Sequence, residues 1–367
     1  MWGDSVPIAQ GVPLQPLGGQ GYPPRASYPP ASPATVDPVP LIDNLTASVL
    51  SATNDFTIVQ RPSFTEALCP ACERSNIYDV YDGVTGMHLF IAKERSGVCV
   101  RVCCAPSHAL FVEFKSVAGL NLNPMVTHQM DVDTMPTVLT MEREGCMGKP
   151  CLGCCACGAH CKDGMYLHAG SVGEEAAVGT LRSAHPQCVG FATQPTLAGG
   201  FTPTLNIMER SGGGASSFAP LAKVEGPTCF GGCMELCYSS KFTLSSMRSA
   251  AQLNQTLKLG NLGQIVKRKP NDLDGALREA VTDADVYTLS ISPAAGLAPQ
   301  QKATLLATLV LADYMYFERE GAMCDGNGCT LCLWHCNGCL CPIALRSPAG
   351  SSRPAGGNQA GGFVADQ

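Results

Sequence analysis

Residues 304–317 read TLLATLVLADYMYF, apolar almost all round, with Gln300, Gln301 and Lys302 before them and Glu318, Arg319 and Glu320 after them. As a helix these 14 residues would span only about 21 Å, whereas the hydrocarbon core of a bilayer asks for roughly 20 residues and about 30 Å. Asp313 sits inside the run, and a carboxylate in hydrocarbon is costly. All-round hydrophobicity suits either a protein interior or a membrane, and the short length and the carboxylate favour enclosure by the sheet, with membrane insertion as the alternative. The stretch from about Pro299 to Phe317 therefore predicts a core helix, and its surroundings have to supply a container.

Upstream of it, short runs with two-residue alternation or β-branched and aromatic enrichment recur between Gly, Pro, Asn and Asp signals. Twelve such runs are expected, near residues 56–60, 76–81, 87–93, 109–116, 137–143, 164–169, 177–184, 202–209, 219–226, 241–246, 262–268 and 286–292. The clearest hairpin is YDVYDGVTGMHLF, residues 78–90, because Asp82-Gly83 and Gly86 allow a reversal between two strand-like runs. Consecutive strands without helices between them form antiparallel sheet, and closing that sheet removes its edges. The expectation is a mainly β fold: about twelve antiparallel strands in a barrel around the apolar helix.

The chain has 367 residues, 45% hydrophobic and 15% charged, with a formal net charge of −6, so it can bury a sizeable core and offers nucleic acid no general electrostatic footprint. Residues 1–50 are read as a proline-rich arm, holding two Tyr-Pro-Pro repeats at Tyr22 and Tyr28 that SH3 or WW domains could take as extended helix. The domain is expected over 51–320, a cysteine-rich segment over 321–346, and a Gly/Ala/Ser-rich flexible tail over 347–367. The triplet Lys267-Arg268-Lys269 reads as a solvated strand end.

Of the 21 cysteines, six fall between Cys146 and Cys161 and six between Cys324 and Cys341. The N-terminus shows no basic and apolar leader, so reduced thiols are expected. CLGCCACGAHC, residues 151–161, suits S-acylation, which wants accessible thiols among small residues rather than ligand geometry; metal binding and unmodified thiols are the alternatives. Several acyl chains at about 0.8 kcal/mol per buried methylene would hold a soluble domain on a bilayer. No GxSxG, P-loop or HExxH is present, so covalent catalysis has no support.

A series of motifs runs in order along the chain: CCAPS at 103–107, LTMEREGC at 139–146, CLGCCAC at 151–157, AHPQC at 184–188, EGPTC at 225–229, LREAVTDADVY at 277–287 and LADYMYFERE at 311–320. Together they resemble the phospholipid scramblase family, whose fold is similar to the tubby C-terminal domain, a twelve-stranded barrel around a hydrophobic C-terminal helix. The resemblance covers roughly residues 56–320. It implies ATP-independent, bidirectional movement of phospholipids between leaflets, calcium activation, palmitate on Cys151, Cys154, Cys155 and Cys157, and residence on the cytosolic face of a membrane, expected to be the plasma membrane.

The family's calcium segment begins with a pair matched by Asp283 and Asp285, but its later acidic positions fall on Pro293, Ala294 and Ala295. Two carboxylates, Thr288 at the turn and Ala294 at the bidentate position exclude a tight EF-hand loop. Any calcium site here is weak. The alternative function is an acyl-anchored lipid-binding or regulatory adaptor without transport.

Overall fold

The computed structural model describes residues 42–61, 75–97, 107–118, 131–146, 149, 151–152, 155–173, 185–211, 217–248, 260–268, 285–317, 324–325 and 328–346. Twelve antiparallel strands close into a barrel. In chain order these are β1 (Asp55–Gln60), β2 (Ile77–Asp82), β3 (His88–Arg95), β4 (Leu110–Ser116), β5 (Thr137–Arg143) and β6 (Gly164–Ala169). They are followed by β7 (Cys188–Thr193), β8 (Thr204–Arg210), β9 (Phe218–Glu225), β11 (Ser240–Ser246), β12 (Asn261–Lys267) and β13 (Val286–Ile291), with the two-residue β10 (Cys229–Phe230) standing outside the ring. Each barrel strand pairs with its sequence neighbour, and β1 closes the ring between β13 and β2.

Eleven of the twelve expected runs coincide with barrel strands. The run expected near 177–184 lies outside the described residues, and the remaining barrel strand, β7, begins at Cys188 where no run was expected. Its sequence, CVGFAT, looks weak as a strand because of Gly190. That glycine has a packing reason: a Cβ there would lie 2.6 Å from Thr304 Oγ1 and 2.9 Å from Met208 O, so the interior helix leaves no room for one. The hairpin at 78–90 forms as expected between β2 and β3, with Asp82 Oδ1 accepting from the amides of Val84 and Thr85 and Gly86 at φ 71°.

The container is filled by helix α2 (Pro299–Ala312), continued by one π turn over Asp313–Phe317. Every residue from Lys302 to Phe317 is buried. Leu305, Leu306, Leu309, Val310 and Phe317 join inward residues of the wall, such as Ile58, Val80, Leu139, Leu167 and Ile207, in one core. At about 1.5–3 kcal/mol per fully buried large aliphatic side chain, this contact is a major stabilising term for the fold. Pro299 starts the helix where its missing N–H costs nothing, and Gln301 accepts from the Ala298 amide through its side chain.

A first helix, α1 (Asn44–Ala52), overlaps the end of the stretch read as arm. Asp43 caps it by accepting from the Thr46 amide at 2.9 Å. Its other end is tied to α2, because Lys302 Nζ donates to the carbonyls of Ser51 (3.0 Å) and Thr53 (2.8 Å). A cation at carbonyls that the helix leaves unpaired is favourable.

At the opposite end of α2 the chain forms a separate sheet: β14 (Cys324–Asp325), β15 (Gly328–Cys336) and β16 (Cys339–Arg346), with β15 also pairing with β10. The β15–β16 turn is Asn337-Gly338, both at positive φ, as a two-residue hairpin requires. The expectation of reduced thiols is corrected here, since Cys229 and Cys332 form a disulfide and Cys329 is also disulfide-bonded. The hairpin brings Cys229 and Cys332, 103 positions apart, to a Cα separation of 6.0 Å, a juxtaposition that spacing along the chain cannot reveal.

Candidate functional site

The π turn that ends the interior helix points polar groups at the barrel wall. Asp313 is fully enclosed, and its carboxyl accepts from the Tyr78 hydroxyl of β2 at 2.7 Å while meeting the Tyr287 hydroxyl of β13. Tyr287 Oη also lies 2.9 Å from Asp285, whose carboxylate pairs with Lys267 Nζ of β12 at 2.9 Å. Lys267 reaches Glu235 at the same distance and sits over the Phe317 ring, 4.6 Å from its centroid.

One tyrosine hydroxyl carries one proton and cannot donate to two carboxylates at once. The chain is completed when Asp313 is protonated and donates to Tyr287, which donates to Asp285, which faces Lys267. Burial, reinforced by the charge of Asp285, raises the Asp313 carboxyl to about 7, against the hydroxyls of Tyr287 and Tyr78 and the ammonium of Lys267. This is a proton-holding network between helix and wall.

The next residue of the turn, Tyr314, donates to Glu94 of β3 at 2.8 Å. Glu94 also takes His108 Nε2 at 2.9 Å, the Asn76 amide at 3.0 Å and the Ser96 hydroxyl. Burial works to raise this carboxyl, but the bonds from His108, Ser96 and Asn76 prevail and hold it below its ordinary value. On the adjoining strand, burial likewise opposes Asp79, yet the bidentate Arg61 (2.8 and 2.7 Å) and His88 bring it down to about 2. Asp313 and Glu94, carboxyls shifted in opposite directions, thus stand at one helix end.

Asp283, the first calcium candidate, lies outside the described residues. Asp285 is in place, but its carboxylate already faces an ammonium group, so a cation binding there must compete with Lys267. Lys267 itself is a correction: it is buried rather than a solvated strand end, because the turn before β11 and the start of β13 supply Glu235 and Asp285 to receive it.

The thiol candidates stand elsewhere, on the connection from β5 to β6. Cys151, Cys155 and Cys157 are exposed there, and Cys154 lies outside the described residues. The base of the connection is fastened by a buried, bidentate pair in which Arg143 Nε and Nη2 donate to Asp163 at 3.0 and 2.6 Å. Cys157 Sγ lies 3.9 Å from Cys161 Sγ. Desolvation and the neighbouring Cys157 and Cys151 push the Cys161 thiol up to about 11, which leaves it little thiolate at neutral pH. Among the described residues no group of three or more His, Cys, Asp or Glu side chains is arranged to hold a metal.

Compared with known protein families, residues 221–319 match the family described as Scramblase. The match runs from β9 through β11, β12 and β13 into α2 and its π turn, so it includes Lys267, Asp285, Tyr287 and Asp313. The matched stretch covers the last third of the barrel wall and the interior helix, so this part of the chain is similar to the Scramblase family. No solved structure matches the chain.

Among the described residues, no helix is long and apolar enough to cross a membrane. The interior network is what sequence reasoning missed. Its one visible signal is Asp313, a lone carboxyl in an otherwise apolar run. Its partners Tyr78, Glu94, Lys267 and Tyr287 come from four separate strands, at sequence distances of 26 to 235 residues for the two tyrosines that bond Asp313.

Proposed function

We propose that this scramblase-like protein moves phospholipids between membrane leaflets in both directions without ATP. The observation that carries this reading is the Scramblase match over residues 221–319, which spans the interior helix and the strands around its polar end. Because α2 fills the barrel, a head group has no evident polar passage through it. The proposed lipid route therefore runs along the protein surface, since moving an unaccompanied charge through hydrocarbon costs many kcal/mol.

In this reading acyl chains on Cys151, Cys154, Cys155 and Cys157 hold the barrel at the cytosolic face of the plasma membrane. Calcium, where it acts, uses Asp283 and Asp285 weakly, with carbonyls and water completing its shell. The proline-rich arm is the docking segment for SH3 or WW domains. A second reading, an acyl-anchored adaptor without transport, draws its support from the same filled interior.

Reconstitution separates the two. Purified protein in liposomes carrying a fluorescent phospholipid should make inner-leaflet label accessible to an added membrane-impermeant quencher. Exchange no faster than in protein-free vesicles, with protein still bound, selects the adaptor.

A further inference from the structure

The β15–β16 hairpin lies across the end of the barrel at which the interior helix terminates. Leu333 is buried there, and the buried His335 ring meets Tyr316 edge-on at 6.3 Å. Beneath it, Phe230 of β10 packs on Phe242, Tyr316 and Phe317 with centroids 6.0, 5.8 and 5.7 Å apart. The hairpin therefore covers an aromatic cluster that would otherwise meet solvent.

Its non-covalent attachments run along β10, the turn Gly232–Leu236, against which Thr330 and Leu331 pack, and the loop at Gly200. β10 and β15 pair over two residues, Cys229 with Trp334 and Phe230 with Leu333. The His335 amide donates to Thr228 O at 2.9 Å, and the Asn337 amide to Gly200 O at 2.8 Å. Trp334 stacks on Phe201, centroids 5.6 Å apart and planes 6° from parallel. β10 and β14 each add only two residues to the β15–β16 ribbon, a ribbon in water is marginal at best, and a net hydrogen bond contributes only about 0.5–1.5 kcal/mol. Added to these are the disulfide of Cys329 and the Cys229–Cys332 bond, the latter tying the hairpin to β10 across 103 residues of chain. A crosslink closing so long a loop is worth several kcal/mol in the chain-entropy account.

We propose that the Cys229–Cys332 disulfide is a redox-released latch that holds this hairpin over the aromatic end of the barrel. The release step balances simply. A dithiol reductant gives two electrons and two protons, the Sγ–Sγ bond breaks, each sulfur leaves as a thiol, and the reductant closes to its own disulfide. The hairpin then swings off, uncovering Phe230 and Tyr316 and parting Trp334 from Phe201, while the twelve-stranded ring stays closed by its own ladders. This device is independent of whether the barrel transports lipid.

The chain has only two tryptophans, Trp2 and Trp334, so Trp2→Phe in the full chain makes Trp334 the sole reporter. Under oxidised glutathione, peptide mapping should recover Cys229 linked to Cys332, with Trp334 emission blue-shifted and weakly quenched by acrylamide. Dithiothreitol, which also reduces the Cys329 bond, should red-shift the emission and raise the quenching constant at least about twofold, and Cys332→Ser, which leaves the Cys329 bond in place, should show the same without reductant. Amide exchange should rise in residues 328–336 and not in β3–β5, which distinguishes release from unfolding. Reduction of wild-type chain supplies the result should Cys332→Ser not fold. Unchanged Trp334 emission and exchange after mapping proves the bond broken, or no Cys229–Cys332 link in oxidised protein, overturns the latch.

Discussion

The interior helix and the terminal hairpin are both apolar segments at the end of the fold, yet one is buried from Lys302 to Phe317 and the other leaves each residue of Cys341–Arg346 exposed. Hydrophobic content does not separate them. The helix turns side chains in every direction and needs a wall on every side, whereas a ribbon has two faces and needs only one covered. Leu333 and His335 take the covered face of β15, and the half-exposed Trp334 takes the other. The helix should thus be required for the barrel to exist, and the hairpin only for its end to be covered.

The largest test of that contrast is a chain ending before Pro299. It should fail to give a soluble protein with a cooperative thermal transition, and a folded product would break the comparison outright. Within the full chain, Leu306→Ala should cost about 2–5 kcal/mol, read by denaturant unfolding, because the ring around it cannot collapse onto the cavity.

Next comes the polar end of the helix. Asp313 has a folded value of about 7, raised first by burial, against an ordinary 3.8, so the native state holds this proton more tightly than the unfolded chain. Its contribution is present in full below about pH 4 and is lost as pH climbs toward and through 7. The groups facing it are Tyr78, Asp285, Tyr287 and Lys267. Thermal midpoints should fall between pH 5 and pH 8 more steeply in wild type than in Asp313→Asn; parallel curves would show that Asp313 is ionised throughout. Asp79, held at about 2, has the opposite sign, its stabilisation being lost only as pH falls from about 4 toward 2.

Removing the hairpin should do less than removing the helix. A chain ending at residue 320 gives up burial of Leu333, about 2 kcal/mol, and the Cys229–Cys332 crosslink, about 2–4 kcal/mol, so its midpoint should fall while cooperativity is kept. Loss of the transition would make the hairpin as necessary as the helix. Smallest in stability is the change of Cys151, Cys154, Cys155 and Cys157 to Ser, which should leave the midpoint within about 0.5 kcal/mol of wild type and yet shift the protein from the membrane to the soluble fraction of cell lysates. Unaltered fractionation, with no acyl group found by thioester-selective labelling, would remove the anchor.

The alternating runs, the Asp82-Gly83 hairpin and the short apolar stretch at 304–317 determine a closed antiparallel sheet around a helix, because period and length are local quantities that fix which faces must be covered. The exposed thiols of residues 151–157 were legible for the same reason, lying in a run of small residues with no strand or helix period. What tertiary structure alone decided are the pairings across the chain: Tyr78 with Asp313, Lys267 with Glu235 and Asp285, Cys229 with Cys332. Each joins groups whose sequence neighbours look like ordinary strand or loop residues. Only closure of the ring sets their separation, and at a few ångströms in a buried setting that separation decides whether a carboxyl keeps its proton, a lysine leaves water or two thiols become a bond.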